Sequence, residues 1–416
     1  MEHFTKNLEE LHIGIVGIGY VGLPLAKEFS KLYDVVGFDN DPSRVNELSR
    51  GFDRTNEVPA GALAACAKLR FSNQIEDLKD CNVYIVTVPT PVDVNQKPDL
   101  KPLLQASATL GTLLKTGDLV IYESTVYPGV TEDECVPVLE RESGLTINLD
   151  FWVGYSPERI NPGDKSRSLV DIVKVTSGSC SAAGDFVDAL YSRIISAGTF
   201  KAESIKVAEA AKVVENVQRD VNIALVNELH QLFYLLDIDT KSVMDAASTK
   251  WNFSKYSPGL VGGHCIGVDP YYLLHKAGQS GYVPNLIRNA REVNESMPSF
   301  VAKAFLKELL RLRINPLEIK VLFCGFSFKE NCPDIRNTKA FDLYLELTNM
   351  GLNIVVYDPL VDVSEVQNHY GVNVISELTG EDTRVAILVT PHKEIIESLK
   401  TQKFDLLFDF RSALTD

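Results

Sequence analysis

Between Gly262 and Pro270 the chain reads GGHCIGVDP, which sets one thiol, Cys265, between paired glycines and the start of a helix. Asp269 as N-cap, Pro270 as the first helical residue and the apolar run Tyr271 to Leu274 give that helix its start signal. A thiol just upstream of a helix N-terminus gains thiolate character from the helix dipole, and the thiolate is a nucleophile. The plainer reading of Cys265 is one of seven buried cysteines beside turn glycines. Two further polar residues, Lys212 and Asn216, lie four apart in a stretch from Ala202 to Leu236 that has no proline or glycine. Apolar residues recur there at helical spacing (Val207, Ala211, Val214, Ala224, Leu225, Leu229, Leu232), so one long helix is expected, with Lys212 and Asn216 on a shared face. Such a pair can be aimed at one site or simply be solvated. A helix of this length joining two domains is also a natural dimer surface.

The elements that must position these groups begin with a strand from His12 to Val16, the turn Gly17-Ile18-Gly19-Tyr20-Val21-Gly22, and a helix through Leu25, Ala26 and Phe29. A second strand, Asp34 to Phe38, ends in Asp39, a carboxylate spaced to accept hydrogen bonds from an adenosine ribose and to repel a 2′-phosphate. Strand, glycine turn, helix and spaced acid together predict a dinucleotide site that prefers NAD. Further apolar runs, Val83 to Val88, Leu119 to Tyr122 and Phe151 to Tyr155, alternate with helical stretches as in a doubly wound parallel sheet. Pro89-Thr90-Pro91, Ser124-Thr125 and Ser156-Pro157-Glu158 then fall at carboxyl ends of strands, where ligands bind in open α/β sheets. Thr131 with Glu134 reads as a capping box for the helix after Thr125. From Ile319 a second α/β pattern begins: strand to Cys324, turn Gly325 to Lys329, helix Thr338 to Met350, then strands at Asn353 to Tyr357, Val385 to Val389 and Leu406 to Phe410. The fold class is therefore α/β, two Rossmann-like doubly wound domains joined by a long central helix and a helical middle region.

With 416 residues and 45% hydrophobic composition the chain is long enough for two or three domains, each with its own core. Its seven cysteines are odd in number, unclustered and without C-x-x-C spacing, which argues against a disulfide framework and a structural zinc site and fits a reducing cytoplasm. The opening MEHFTKNLEELH has no apolar core of signal-peptide length, and no apolar run approaches the roughly 20 residues of a membrane span. A net charge of −15 disfavours nucleic acid and acidic lipid, so an anionic ligand must be held by local cations and helix N-termini.

Taken in order, GIGYVG at Gly17, VPTP at Val88, ESTVYPG at Glu123, YSPERINPG at Tyr155, EAAKVVEN at Glu209, GGHCIGVDP at Gly262 and GFSFKENCPDIRNT at Gly325 resemble the nucleotide-sugar 6-dehydrogenases. That is the family of UDP-glucose and GDP-mannose dehydrogenases, and the resemblance runs from about residue 11 to the end. The GGHC and CPDIRNT forms resemble the branch acting on UDP-N-acetylhexosamines; the UDP-glucose branch usually has serine for His264 and lysine for Val268. His264 is then either a mark of specificity or a ring packed beside the loop. Gly267 departs from the many relatives with proline there.

The resemblance implies an NAD-dependent oxidation of a sugar C6 alcohol to a carboxylate in two hydride transfers, with Cys265 forming a thiohemiacetal and then a thioester, for surface polysaccharide synthesis. It implies that Lys212 stabilises oxyanions, that Asn216 helps hold water, that Asp269 is a general base through water as well as a cap, and that Thr125 and Glu158 position hydrolytic water and cofactor. Cofactor contacts are implied for Gly17, Ile18, Gly19, Tyr20, Val21, Gly22, Asp39, Arg44, Pro89, Thr90, Ser124, Thr125, Glu158, Cys265 and Arg336. Substrate contacts are implied for Glu158, Arg159, Lys212, Asn216, Lys250, Asn252, Phe253, Gly262, His264, Cys265, Phe328 and Lys329. The domains expected are 1–201 for NAD, 202–300 for the central helical region with the cysteine loop, and 301–416 for the UDP-sugar. A homodimer or higher homo-oligomer is implied, with no nucleic-acid or membrane partner. The substrate implied by the resemblance is UDP-GlcNAc or UDP-GalNAc, with UDP-N-acetylmannosamine or UDP-glucose oxidation as the alternatives and a silent NAD and nucleotide-sugar sensor as a remote one. A two-electron hydroxyacid dehydrogenase would share the first domain and have no use for Cys265.

Overall fold

His12–Val16 (β1), Asp34–Phe38 (β2), Leu69–Ser72 (β3), Val83–Val86 (β4), Leu119–Tyr122 (β5), Trp152–Tyr155 (β6), Lys174–Gly178 (β7) and Thr199–Lys201 (β8) form one sheet in the computed structural model. The strand order is β3-β2-β1-β4-β5-β6-β7-β8. Residues 4, 6–55, 57–59, 61–93, 96–160, 167–378 and 383–414 are described. β4 and β5 are buried at all their positions, which is why they read as continuous apolar runs and not as alternating ones. Each fully buried Val, Ile or Leu there contributes about 1.5–3 kcal/mol. The chain leaves β1 on opposite sides toward β2 and β4, so the crevice at the carboxyl end of β1 is the place where such sheets bind ligands.

One pairing departs from the parallel sheet expected: β7 runs antiparallel to β6, with Gly154 opposite Gly178 and Tyr155 opposite Ser177. Residue periodicity shows which side chains share a face but carries nothing about strand direction, so this reversal was not legible. It brings the first residue of β7, Lys174, to the end of the sheet where the other strands finish.

A second sheet is built from Lys320–Cys324 (β9), Asn353–Tyr357 (β10), Val374–Ile375 (β11), Val385–Leu388 (β12) and Leu406–Phe408 (β13). It is parallel throughout in the order β11-β10-β9-β12-β13, the same order as β3-β2-β1-β4-β5. β3, β7, β8 and β11 have no counterpart among the strands expected from sequence.

The long helix is Ile205–Leu235, inside the expected 202–236. The chain divides into two compact units, Met1–Glu215 with Tyr271–Ser280 and Asn216–Pro270 with Gly281–Asp416. The buried face of the helix is mixed: Glu209, Lys212, Asn216, Asp220 and Asn227 are buried beside Ala208, Val213, Val217, Ala224 and Val226, while Val207, Val214, Leu225 and Leu232 are exposed. The buried polar groups are paired where the helix Asn285–Arg311 packs, through Asp220 to Arg291 (2.6 Å) and Asn294 (2.8 Å), and through Asn227 to Asn294 (2.8 Å). No helix among the described residues is long and apolar enough to cross a membrane.

Candidate active site

The turn after β1 is shaped by glycine. Gly17 has φ +95° and donates its N–H to the Phe38 carbonyl (2.8 Å), a backbone conformation that side chains resist. Gly22 opens the helix Gly22–Ser30, and a Cβ there would come within 2.1 Å of the Gly17 carbonyl oxygen and 2.6 Å of the Thr87 hydroxyl. A Cβ on Gly19 would meet nothing within 4 Å, so the loop's middle borders open space next to a helix N-terminus. This glycine cradle fits a pyrophosphate. The Asp39 carboxylate accepts the Ile18 N–H (2.9 Å) and the Asp41 N–H (3.0 Å), holding the loop from the end of β2. Arg44 is buried, with its guanidinium on the Ile18 carbonyl (2.7 Å), Asp53 (2.9 Å) and Glu47. Tyr20 and Val21 are half-buried.

Hydroxyls tie the neighbouring strand ends together. Thr90 donates to the Thr125 carbonyl (2.6 Å), Ser124 donates to the Val88 carbonyl (2.6 Å), and the Tyr272 hydroxyl donates to the Thr90 carbonyl. Pro89 is exposed and Thr125 half-buried. After β6, one oxygen of Glu158 accepts the N–H groups of Arg159 and Ile160 (2.6 Å each), and the other faces the Lys174 ammonium at 3.3 Å. Lys174 also bonds Glu123 at 2.6 Å. Arg159 reaches Glu215 on the long helix (2.7 Å) and the Val173 carbonyl (2.7 Å).

The capping box expected at Thr131 and Glu134 does not form: Thr131 lies inside a wide helical turn, Thr131–Cys135, that leads into Val136–Ser143, and no side chain of its own caps it. Glu209 of the long helix does the capping instead, accepting the Gly129 N–H (2.5 Å) and the Thr131 N–H (2.9 Å). Burial pushes the Glu209 carboxyl up to about 7, against the pull of those two amides. One turn further, Lys212 is buried, and a turn beyond that the buried Asn216 amide donates to Asp269 at 2.5 Å.

Cys265 is half-buried, and its carbonyl accepts the N–H groups of Val268 (3.0 Å) and Asp269 (2.8 Å), so the chain winds directly from the thiol into the helix Asp269–Gln279. Asp269 is the first residue of that helix, with its carboxylate on Asn216. The loop is pinned to the segment after β9. Gly263 donates to the Asn337 carbonyl (3.1 Å) and the Asn337 side chain donates back (2.9 Å). Gly263 has φ +82° and a Cβ on it would strike the Phe328 ring at 2.8 Å; on Gly262 it would strike the Asn337 carbonyl at 2.6 Å. His264 meets the Phe328 ring edge-on at 6.2 Å and lies 3.8 Å from Asp334. Arg336 grips Asp334, whose carboxyl is raised by burial but lowered overall by that guanidinium. Lys329 is half-buried with its carbonyl taken by Ser327 (2.8 Å), and Lys250, Asn252 and Phe253 form an exposed turn closed by Phe253 N–H to the Lys250 carbonyl (3.0 Å).

At the carboxyl ends of β9 and β12, Ser327, Phe328, Thr338, Lys339, Thr390 and Arg411 line a shallow cleft. Thr338 caps the helix Lys339–Asn349 by accepting the Ala340 N–H, so a helix N-terminus and an arginine share the cleft. Thr390 and Arg411 were missed in the sequence; the only signal was their position just past a strand. Lys174 and Glu209 were missed as well. None of the seven cysteines is in a disulfide; burial pushes Cys81 and Cys135 up to about 12 and raises Cys324 and Cys332 too.

A glycine cradle at the switch point of a parallel sheet and a thiol at a helix start fit a dinucleotide-dependent oxidoreductase. Three family models cover most of the chain: the UDP-glucose/GDP-mannose dehydrogenase family NAD binding domain over residues 11–195, central domain over 206–296 and UDP binding domain over 322–416. The UDP-N-acetyl-D-glucosamine 6-dehydrogenases of Salmonella typhi and Pseudomonas aeruginosa are each 52% identical over 387 residues, covering 93% of this chain and 91% and 92% of theirs. Among solved structures, a UDP-D-ManNAc dehydrogenase from Pyrococcus horikoshii superposes with a TM-score of 0.86 at 31% identity, covering 96% of this chain and 95% of that one. The chain belongs to the UDP-glucose/GDP-mannose dehydrogenase family, and it is an NAD-dependent nucleotide-sugar 6-dehydrogenase.

Proposed function

We propose that the chain oxidises the C6 hydroxyl of a UDP-N-acetylhexosamine to the uronate, with UDP-N-acetylglucosamine preferred over its C4 epimer, and that Cys265 carries the sugar between the two oxidations. The observation that carries this reading is the Cys265 loop, whose thiol is wound into a helix start and whose glycines are locked on Phe328 and Asn337. The choice of sugar is supported by the two relatives that share half their residues with this chain.

Bound NAD supplies acceptance of a hydride in each of two rounds. The remaining chemistry belongs to the chain. Asp269, with Asn216 against it, takes the C6 hydroxyl proton through a water as the first oxidation occurs. The Cys265 sulfur then adds to the aldehyde carbon, a C–S bond forms, and the carbonyl oxygen becomes an oxyanion facing Lys212. Loss of the second hydride from the carbon bearing that oxyanion leaves a thioester. Water positioned by Glu158 and Thr125 adds to it, the C–S bond breaks, the thiolate leaves and the carboxylate remains.

In this reading Ile18, Tyr20, Val21, Asp39, Arg44, Pro89, Thr90, Ser124 and Arg336 serve the cofactor with the three glycines. Arg159, Lys250, Asn252, Phe253, Gly262, His264, Phe328 and Lys329 serve the substrate. Residues 1–201, 202–300 and 301–416 divide the work as dinucleotide, thiol-bearing and nucleotide-sugar domains. The exposed Leu225, Leu232 and Leu235 of the long helix, with Leu236 just past it, are the surface for a homodimer, to be read by sedimentation. Its place is the reducing cytoplasm, supplying a uronate donor for surface polysaccharide.

The test is NADH released per sugar consumed, with excess NAD and UDP-GlcNAc, UDP-GalNAc, UDP-ManNAc and UDP-glucose in separate reactions. Two NADH per UDP-GlcNAc, abolished by Cys265→Ser, is the expected result. One NADH per sugar, or turnover by Cys265→Ser at the wild-type rate, would overturn the covalent mechanism.

A further inference from the structure

We propose that Lys174 is a positioning residue for the Glu158 carboxylate, held from behind by a buried frame of Glu123 and Tyr191; this rests on the role given to Glu158 above. The antiparallel register of β6 and β7, carried three residues past Tyr155, sets Lys174 opposite Glu158. The Lys174 ammonium bonds Glu123 at 2.6 Å and Glu158 at 3.3 Å, and the Tyr191 hydroxyl donates to the second Glu123 oxygen. The Tyr191 ring lies 5.5 Å from the same ammonium. Both Glu158 oxygens are thus engaged, one by its own backbone turn and one by Lys174, so the carboxylate has one orientation.

The side chains of Lys174 and Glu123 are 2% and 0% exposed, whereas that of Glu158 is 11% exposed and is the member of the set that reaches the edge. A buried ion pair gives little net stability, because desolvation offsets the attraction and apolar residues of the same volume often do as well. Its presence under one carboxylate at the ligand end of the sheet calls for another role. Burial opposes the charge on Lys174, but the two carboxylates outweigh it and raise its pKa, so the ammonium persists. An exposed lysine could not hold Glu158 in this way, since water would compete for both groups.

The experiment uses the full chain. Lys174→Met with Glu123→Gln removes both members of the buried pair and leaves the Glu158 carboxylate on its two backbone N–H groups, and Lys174→Arg is the conservative variant. The double variant should keep KM for NAD and UDP-GlcNAc within about threefold while kcat falls about 100-fold. Acyl-Cys265 should accumulate, seen by intact mass, and Lys174→Arg should recover about a tenth of the wild-type rate or more. Without any turnover, the infrared carboxylate band that Glu158→Gln deletes should move in the double variant. An unmoved band, or wild-type kcat in the folded double variant, would overturn the proposal. Should that variant not fold, Tyr191→Phe is read the same way, with a kcat loss of about fivefold at constant KM expected and no change overturning it. If wild-type protein oxidises none of the sugars, the proposed function fails while the band still decides the position of Glu158.

Discussion

The two parallel sheets share one backbone device and use it differently. In the first, Gly17 at φ +95° follows β1, its N–H on the Phe38 carbonyl, and Asp39 at the end of β2 takes the Ile18 N–H. In the second, Gly325 at φ +94° follows β9, its N–H on the Tyr357 carbonyl, and Asp358 at the end of β10 takes the N–H groups of Phe326 and Ser327. The next helix begins at Gly22 in one case and only at Lys339 in the other. His392, fully buried, then closes on Asp358 at 3.1 Å and takes the Asn331 N–H at 2.8 Å, where Asp39 is only half-buried. A glycine turn and an acid make a ligand cradle when the helix starts at once. The same pair anchors a long loop when it does not, and that loop carries Phe328 and Lys329 to the cysteine segment.

The most damaging way to break the first half alone is Gly22→Ala, whose Cβ would fall 2.1 Å from the Gly17 carbonyl oxygen. NAD affinity by calorimetry should drop at least about 100-fold while UDP affinity holds. Next comes the paired comparison of the two aspartates. Asp358→Asn should lower unfolding free energy in urea by about 3 kcal/mol, because the amide keeps only one of two buried accepting oxygens and loses the charge that faces His392. Asp39→Asn should leave it within about 0.5 kcal/mol and raise KM for NAD about tenfold.

The halves should also respond to pH in opposite directions. Glu209 binds its proton more tightly folded than unfolded, so the stability it lends is whole below its ordinary value of 4.5 and lost as pH rises through about 7. Asp358 is pushed up by burial but lowered overall by His392 and backbone N–H groups, so its contribution is present above 3.8 and lost as pH falls. Glu209→Gln should therefore shrink the loss of unfolding free energy between pH 5 and pH 8 by about 2 kcal/mol, measured by urea titration at each pH. The smallest effect lies within the second unit, where the cysteine loop meets the segment after β9: Gly267 is not at positive φ and a Cβ would sit 3.4 Å from Asn337, so Gly267→Ala should raise stability by about 0.5 kcal/mol, read as a rise in Tm.

What was legible in the sequence was local. GIGYVG with Asp39, and the Cys265 loop running into Asp269, declare themselves because turn, cap and spacing lie within a few dozen residues. The long helix was legible from its lack of breakers, but its faces were not. Its apolar residues Val207, Val214 and Leu225 are exposed, and the buried Glu209 and Asp220 look in sequence like solvated acids. Lys174 stands in a short strand whose direction no residue pattern records, and the partner of Glu209 lies on a loop about 80 residues earlier. Non-local pairing of charged groups was the part of the candidate site that sequence reasoning could not reach.

Burial of the other thiols turns a reactive-group inventory into a labelling chemistry. Cys81, Cys135, Cys324 and Cys332 are buried with raised pKa, leaving only Cys66, Cys180 and Cys265 within reach of a soft electrophile at neutral pH. Serine at 66 and 180 would reduce these to a single chemical handle, at the start of the Asp269–Gln279 helix. A fluorophore, a spin label or an electrophilic sugar nucleotide could then be installed there, one per chain, without engineering a cysteine into the protein.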